Sequence, residues 1–67
     1  MELKFRIYNF LMKNNKKWTV KELSKEIGMD PLRLDLMLKK LTRDYENIKV
    51  RQGVLCEEYY WEGEKND

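Results

Sequence analysis

The sequence predicts an α+β domain in which three short helices are followed by a C-terminal β-hairpin. Two observations indicate this class. Apolar residues recur at helical spacing through most of residues 3–44, and from Asn47 onward they alternate with polar residues as in a strand. A chain of 67 residues holds a single hydrophobic core, so we expect one domain over residues 1–62 and a frayed acidic tail over residues 63–67.

The first helix is predicted from Glu2 to about Lys13, because its inward stripe consists of Leu3, Ile7, Phe10 and Leu11. A second apolar stripe on the far side of this helix consists of Phe5, Tyr8 and Met12. Aromatic and methionine side chains are enriched at interfaces, so this stripe predicts a homodimer through the first helix. The alternative is that the C-terminal strand, with Tyr60 or Trp61, covers the stripe.

The second helix follows a polar loop over residues 14–17 and is predicted from its N-terminal signal. Thr19-Val20-Lys21-Glu22 has the pattern of a capping box, in which the Thr hydroxyl and the Glu carboxylate each satisfy a free backbone N–H. Trp18 and Leu23 stand where a hydrophobic staple packs. Val20, Leu23 and Ile27 are expected to face inward. Gly28 stands where a helix C-terminus favours positive φ, so this helix is about two turns long.

The third helix is predicted to begin at once, with Asp30 as N-cap and Pro31 at the first helical position. Its inward stripe is expected to consist of Leu34, Met37, Leu38 and Leu41, and its end to lie near Asp44.

The hairpin is predicted from the change to period-2 alternation. Ile48 and Val50 alternate with Lys49 and Arg51, the pair Gln52-Gly53 favours a tight turn, and residues 54–61 are rich in strand formers. The strand ends in three aromatic residues, Tyr59, Tyr60 and Trp61. They have the chemistry to stack on nucleic-acid bases, but we expect two of the three to close the core beneath the first helix.

The residue inventory makes an enzyme unexpected. The chain has no histidine, and its glycines are the scattered singletons Gly28, Gly53 and Gly63, which form no phosphate-cradling loop. We therefore expect no catalytic residue, no metal, no cofactor and no small-molecule site. The single cysteine, Cys56, is expected to be a small half-buried thiol. Lack of a disulfide and of any apolar run near the roughly 20 residues of a membrane span predicts a cytoplasmic protein.

Charge is laid out unevenly along the chain. Residues 1–56 carry 13 Lys and Arg against seven Asp and Glu, a net charge of +6, whereas the last eleven residues have a net charge of −4. A basic body with an acidic tail permits a polyanionic partner, and an ordinary solvated surface is the alternative.

The second and third helices are joined by only two or three residues around Gly28, which predicts a steep crossing and therefore a helix-turn-helix. Here the sequence resembles the winged helix-turn-helix domains of transcriptional regulators over about residues 3–61. The resemblance rests on the residues Thr19-Val20-Lys21-Glu22-Leu23-Ser24, Ile27-Gly28-Met29, Leu34, Leu38-Lys39-Lys40-Leu41, Ile48-Lys49-Val50-Arg51 and Tyr59-Tyr60-Trp61.

This resemblance implies that the third helix lies in the major groove of double-stranded DNA and that the hairpin is a wing that touches the backbone. The residues expected to contact DNA are then Lys21, Leu32, Arg33, Leu36, Lys39, Lys40, Arg43, Lys49 and Arg51. Lys16 and Lys17 are further candidates for phosphate contacts. Asp35 is expected to repel phosphates unless it accepts from a cytosine amino group or pairs with Lys39 one helical turn later.

Two functions follow as hypotheses. The first is a small transcriptional regulator of modest sequence specificity, because a leucine can touch a thymine methyl but cannot hydrogen-bond a base edge. The second is a protein-interaction module that docks through Leu32 and Leu36, the two leucines on the outward side of the third helix. The basic charge favours the first hypothesis, and the leucines favour the second.

Overall fold

The computed structural model describes residues 2–63, which form a small α+β fold of three helices and a three-stranded antiparallel sheet. The elements in chain order are α1 (Leu3–Lys13), β1 (Trp18–Thr19), α2 (Val20–Ile27), α3 (Pro31–Asp44), β2 (Ile48–Gln52) and β3 (Glu57–Trp61). The strands lie in the order β1-β3-β2. The predicted class is confirmed at this level, and the arrangement is compatible with the winged-helix layout that the resemblance implies.

One core holds the helices against the sheet. Its buried members are Ile7, Leu11, Trp18, Leu23, Leu34, Leu38, Leu41, Ile48 and Tyr59. The inward stripes predicted for the three helices are confirmed, since Leu3, Phe10, Val20, Ile27 and Met37 pack around this cluster. Because the stripes of α1 and α3 repeat every three or four residues, each helix buries one side and leaves the other exposed.

The helix ends follow the predicted local signals. Glu22 N–H donates to Thr19 Oγ1 and Thr19 N–H donates to Glu22 Oε1, both at 3.1 Å, which completes the capping box of α2. Arg33 N–H donates to the carboxylate of Asp30 at 3.2 Å, so Asp30 caps α3. Helix α1 begins at Leu3, one residue later than predicted, with Glu2 in the N-cap position.

Strand β1 was not predicted. It is only two residues long, and it pairs Trp18 with Tyr59 and Thr19 with Glu58. The indole of Trp18 is held by a hydrogen bond from Nε1 to the Asn14 carbonyl, at 3.0 Å, and packs at 5.1 Å from the Phe10 ring. The sheet therefore has a third strand that places residue 17 and residue 19 beside the hairpin.

The predicted tight turn at Gln52-Gly53 is wrong. The strands are joined by the four residues 53–56, and Gly53 N–H donates to the Cys56 carbonyl at 2.9 Å. Val54 and Leu55 are 100% and 94% exposed. Their side chains have no surface to pack on, so they do not join a strand although their residue types favour one, and β3 begins at Glu57.

The expected half-buried state of Cys56 is also wrong. Its thiol is free and exposed, because it lies in this loop, beyond the reach of the core. Val50 lies opposite buried Tyr59 and is nevertheless exposed.

The described part of the chain ends at Gly63, which lies against the indole of Trp61 so closely that a Cβ at this position would overlap the ring. Gly63, the first residue of the predicted tail, thus lies beside the side chain two residues before it. The rest of the predicted tail, residues 64–67, lies outside the described residues. Among residues 2–63 there is no helix with the length and apolar content needed to cross a membrane.

Candidate nucleic-acid interface

The connection between α2 and α3 orients the exposed side of α3. Gly28 adopts φ 76°, and its N–H and that of Met29 both donate to the Ser24 carbonyl, at 2.9 and 3.1 Å. Ser24 Oγ donates in turn to the Met29 carbonyl at 2.6 Å. Three residues thus separate the helices. The turn is held by hydrogen bonds to both the backbone carbonyl and the side-chain hydroxyl of Ser24.

The outward side of α3 combines leucines and cations. Leu32 and Leu36 are 77% and 63% exposed, as expected for the side opposite the core. Arg33, Lys40 and Arg43 are also exposed. At 100° per residue these three cations span only about 80° of the helix surface. The predicted DNA-contact residues of α3 are therefore brought together on one accessible face.

Lys39 differs from its neighbours because it is paired within α3. Its Nζ donates to both carboxylate oxygens of Asp35, at 3.0 and 3.1 Å. This hydrogen bond, followed by the proximity of Tyr59, raises the pKa of Lys39 above its usual value. The pairing with Asp35 that the spacing allowed is present, and it reduces the positive charge that α3 offers on the side facing the hairpin.

The two cations of the hairpin also differ, because one is paired with a carboxylate and the other, among the described residues, is not. Arg51 lies opposite Glu58 in the sheet, with Nε 3.5 Å from Oε1. Lys49 lies opposite Tyr60. Within residues 2–63 the ion pairs are Lys4–Asp44, Lys39–Asp35 and Arg51–Glu58, which leaves five of the predicted DNA contacts without an acidic partner: Lys21, Arg33, Lys40, Arg43 and Lys49.

An open groove of about 520 Å³ separates the N-terminal half of α3 from the hairpin loop. Its lining is largely apolar and consists of Val20, Lys21, Pro31, Asp35, Cys56 and Glu57. Lys21, at the start of α2, therefore lies beside the hairpin loop and α3. The carboxylates of Asp35 and Glu57 line the same groove as Lys21, so the groove is not a cationic channel.

Tyr59 stands behind this groove in the core. Its hydroxyl donates to Glu57 Oε1 at 3.5 Å, and burial raises the pKa of the hydroxyl. The expectation that two of the three C-terminal aromatic residues close the core is confirmed. Tyr59 is buried and Trp61 packs against the cluster, whereas Tyr60 lies on the opposite face of the sheet.

Lys16 and Lys17, the two further candidates for phosphate contacts, lie over aromatic rings. Lys16 Nζ is 4.3 Å from the ring centroid of Trp18, and Lys17 Nζ is 5.2 Å from that of Tyr60. Both cations are therefore beside the sheet, apart from the cations of α3.

The predicted interface stripe of α1 is only partly open. Phe5 and Met12 are 51% and 37% exposed, but Tyr8 is half-buried and packs on Tyr45 with ring centroids 5.0 Å apart. The residue that packs on Tyr8 comes from the end of α3, whereas the alternative gave the cover of the stripe to the C-terminal strand, with Tyr60 or Trp61. A long-range contact of this kind leaves no local signal in the sequence.

Within the described residues no group of three or more His, Cys, Asp or Glu side chains is arranged to hold a metal ion. The chain matches no protein-family model, no curated protein sequence and no solved structure.

Proposed function

We propose that the protein binds double-stranded DNA as a small transcriptional regulator of modest sequence specificity. The observation that carries the proposal is the group of exposed cations on α3, Arg33, Lys40 and Arg43, which lie within one arc of the helix. None has an acidic partner within residues 2–63, so each is available to a phosphate. Phosphate contacts supply the sequence-independent part of DNA affinity through counterion release.

In this proposal the domain is a winged helix-turn-helix. Helix α3 enters the major groove, where Leu32 and Leu36 touch thymine methyl groups, while Lys21 and Lys49 contact the backbone on either side. Arg33 is then the outward residue best suited to a guanine edge. One base-reading cation on α3 supports only modest specificity, because Lys39 is already bonded to Asp35.

The proposal includes a homodimer and a cytoplasmic location. Two copies of α1 would meet through Phe5 and Met12, the exposed members of its apolar stripe, about the two-fold axis that is commonest in small oligomers. Such a dimer doubles the number of phosphate contacts. The exposed free thiol of Cys56 suits a reducing compartment.

The test is a salt titration of binding to a labelled mixed-sequence duplex. We expect log affinity to fall linearly with log salt concentration, and Arg43→Gln to reduce the slope by about 0.9, because the variant neutralises one phosphate fewer. The matched control is Arg6→Gln, which removes the same charge from the groove between α1 and α2 and should leave the slope unchanged. Absence of binding tighter than about 100 μM at about 50 mM salt would refute the proposal.

A second candidate function is docking to another protein through the same face. It is favoured by the exposed Leu32 and Leu36 and by the apolar groove beside them. Leu36→Ala separates the two functions. If the protein binds DNA, this change leaves the salt slope intact. If it docks to another protein, the change removes a side chain that would be buried in the complex, and binding weakens by about 2 kcal/mol or more.

A further inference from the structure

The outer face of the sheet, the side turned away from the core, carries an aromatic ring, Tyr60, that the proposed duplex contact does not use, and it shares Lys49 with that contact. Antiparallel partners lie on the same side of a sheet, so Tyr60 shares this face with Lys49, and Glu58 shares it with Arg51 and Thr19. Lys17 joins them through its position over the Tyr60 ring. The outer face therefore consists of Lys17, Thr19, Lys49, Arg51, Glu58 and Tyr60.

Three of these six residues are cations and one is an anion, which makes the outer face electropositive around a single aromatic ring. Lys17 Nζ lies 5.2 Å from the centroid of Tyr60, and Lys49 is the cross-strand partner of the same residue. Arg51 is bound to Glu58 by a half-exposed contact of 3.5 Å, a pair that is weak in water. An anionic ligand can therefore compete for Arg51.

We propose that the outer face of the sheet is a second nucleic-acid site, which binds single-stranded DNA by stacking one base on Tyr60. Lys17, Lys49 and Arg51 surround that ring and contact the flanking phosphates. A single strand is specified because the faces of duplex bases are already stacked on one another, so a ring on an open sheet reaches only an unpaired base. This site shares Lys49 with the proposed duplex contact but uses neither α3 nor Lys21, so variants of Tyr60 and of Arg43 distinguish the two sites.

Binding requires Lys17 to leave the Tyr60 ring. An exposed cation–π contact is weaker than a base stacked on an aromatic side chain, so the exchange favours the base. The displaced ammonium group then stays near the strand, where it meets a phosphate. Because Lys17 Nζ lies over the face of the Tyr60 ring, this movement opens that face to a base.

The experiment measures the fluorescence anisotropy of a labelled oligothymidine of about ten nucleotides at about 50 mM salt. We expect Tyr60→Leu, which keeps the apolar bulk and removes the π face, to weaken binding about tenfold, and Tyr60→Phe to stay within about twofold of the parent. Lys49→Glu alters an exposed side chain and should weaken binding as well, so the test does not depend on how Tyr60 variants fold.

Arg43→Gln is the matched control on α3. It should weaken binding to duplex DNA and leave binding to oligothymidine unchanged. The proposal is overturned if the parent does not bind oligothymidine, if Tyr60→Leu and Lys49→Glu bind it as the parent does, or if Arg43→Gln weakens both ligands equally. Tighter binding of oligouridine than of oligothymidine would also overturn it, because the site would then be selective for RNA.

Discussion

In α3 the ammonium group of Lys39 is held by Asp35, with both carboxylate oxygens accepting at 3.0 and 3.1 Å. The pair lies on the side of the helix that faces the hairpin loop, where Asp35 also lines the apolar groove. A cation that was expected to contact DNA is thereby engaged within the protein. The pair is solvent-accessible and contributes little to stability, so its main effect is on the charge that α3 presents.

This pair leads to a gain-of-function prediction. Asp35→Asn removes the carboxylate charge and frees Lys39, so we expect duplex DNA to bind more tightly and the salt slope to steepen by about one phosphate contact. The control is Asp44→Asn, which likewise removes one negative charge but frees Lys4, on α1. Equal gains from both variants would assign the effect to net charge alone, and no gain from Asp35→Asn would place Lys39 outside the DNA contact.

The inward stripe of α3 should control stability. Leu34→Ala and Leu41→Ala each truncate a fully buried side chain, and each should lower the free energy of unfolding by about 2 to 5 kcal/mol. A domain of this size has little stability to lose, so either variant should be largely unfolded. Leu32→Ala is the matched control, since its exposed side chain should change the free energy of unfolding by no more than about 0.5 kcal/mol in urea denaturation. Similar losses at positions 32 and 34 would contradict the assigned inner face.

Stability should fall in alkali through Tyr59. Burial raises the pKa of its hydroxyl in the folded state, so the fold favours the neutral form. This contribution is complete below the unfolded pKa of about 10 and is lost as the pH rises through the folded pKa, because the unfolded chain then binds fewer protons. The ion pairs of Lys4 and Lys39, whose pKa values are also raised, weaken in the same direction.

The measurement is the free energy of unfolding in urea from about pH 8 to pH 11.5. Tyr59→Phe keeps the ring in the core and removes the titrating hydroxyl, so its stability should fall less steeply with pH than that of the parent. Tyr60→Phe is the control, because it removes a hydroxyl from the outer face of the sheet. Parallel curves for the parent and Tyr59→Phe would mean that the Tyr59 hydroxyl titrates alike in the folded and unfolded states.

Self-association should depend on α1. Phe5→Glu places a charge on the exposed stripe and should convert a dimer into a monomer in sedimentation experiments, with the circular dichroism spectrum unchanged because Phe5 is 51% exposed. The control is Leu36→Glu, which alters an exposed leucine on α3 and should leave the dimer intact. A parent that remains monomeric at high micromolar concentration would refute the dimer.

Much of this fold is predictable from short-range patterns. The 3.6-residue period identified the buried sides of α1 and α3, and the caps at Thr19 and Asp30 with the glycine at position 28 placed the helix ends within a residue. These features depend on hydrogen bonds and side-chain directions within a few residues, which is why a single sequence contains them.

The sequence predicted which residues lie on the outward side of α3, but it predicted less well which of the charged residues are paired with each other. The outward residues of α3 were identified by helical phase, and the Asp35–Lys39 pair was one of the options that the spacing allowed. Arg51, which is predicted to meet a phosphate, lies opposite Glu58 because the register of the hairpin pairs Gln52 with Glu57. A tight turn at Gln52-Gly53 would have paired other residues across the hairpin.

Local periodicity and capping chemistry therefore determine the helices, their inner faces and the basic character of α3, since each depends on residues close in sequence. Packing between distant segments determines the rest: that Trp18 starts a third strand, that Tyr45 covers Tyr8, and that Tyr60 faces outward between lysines while Tyr59 is buried. These outcomes depend on which strand pairs with which and on where the helices stop covering the sheet. Neither has a counterpart in the spacing of residues along the chain.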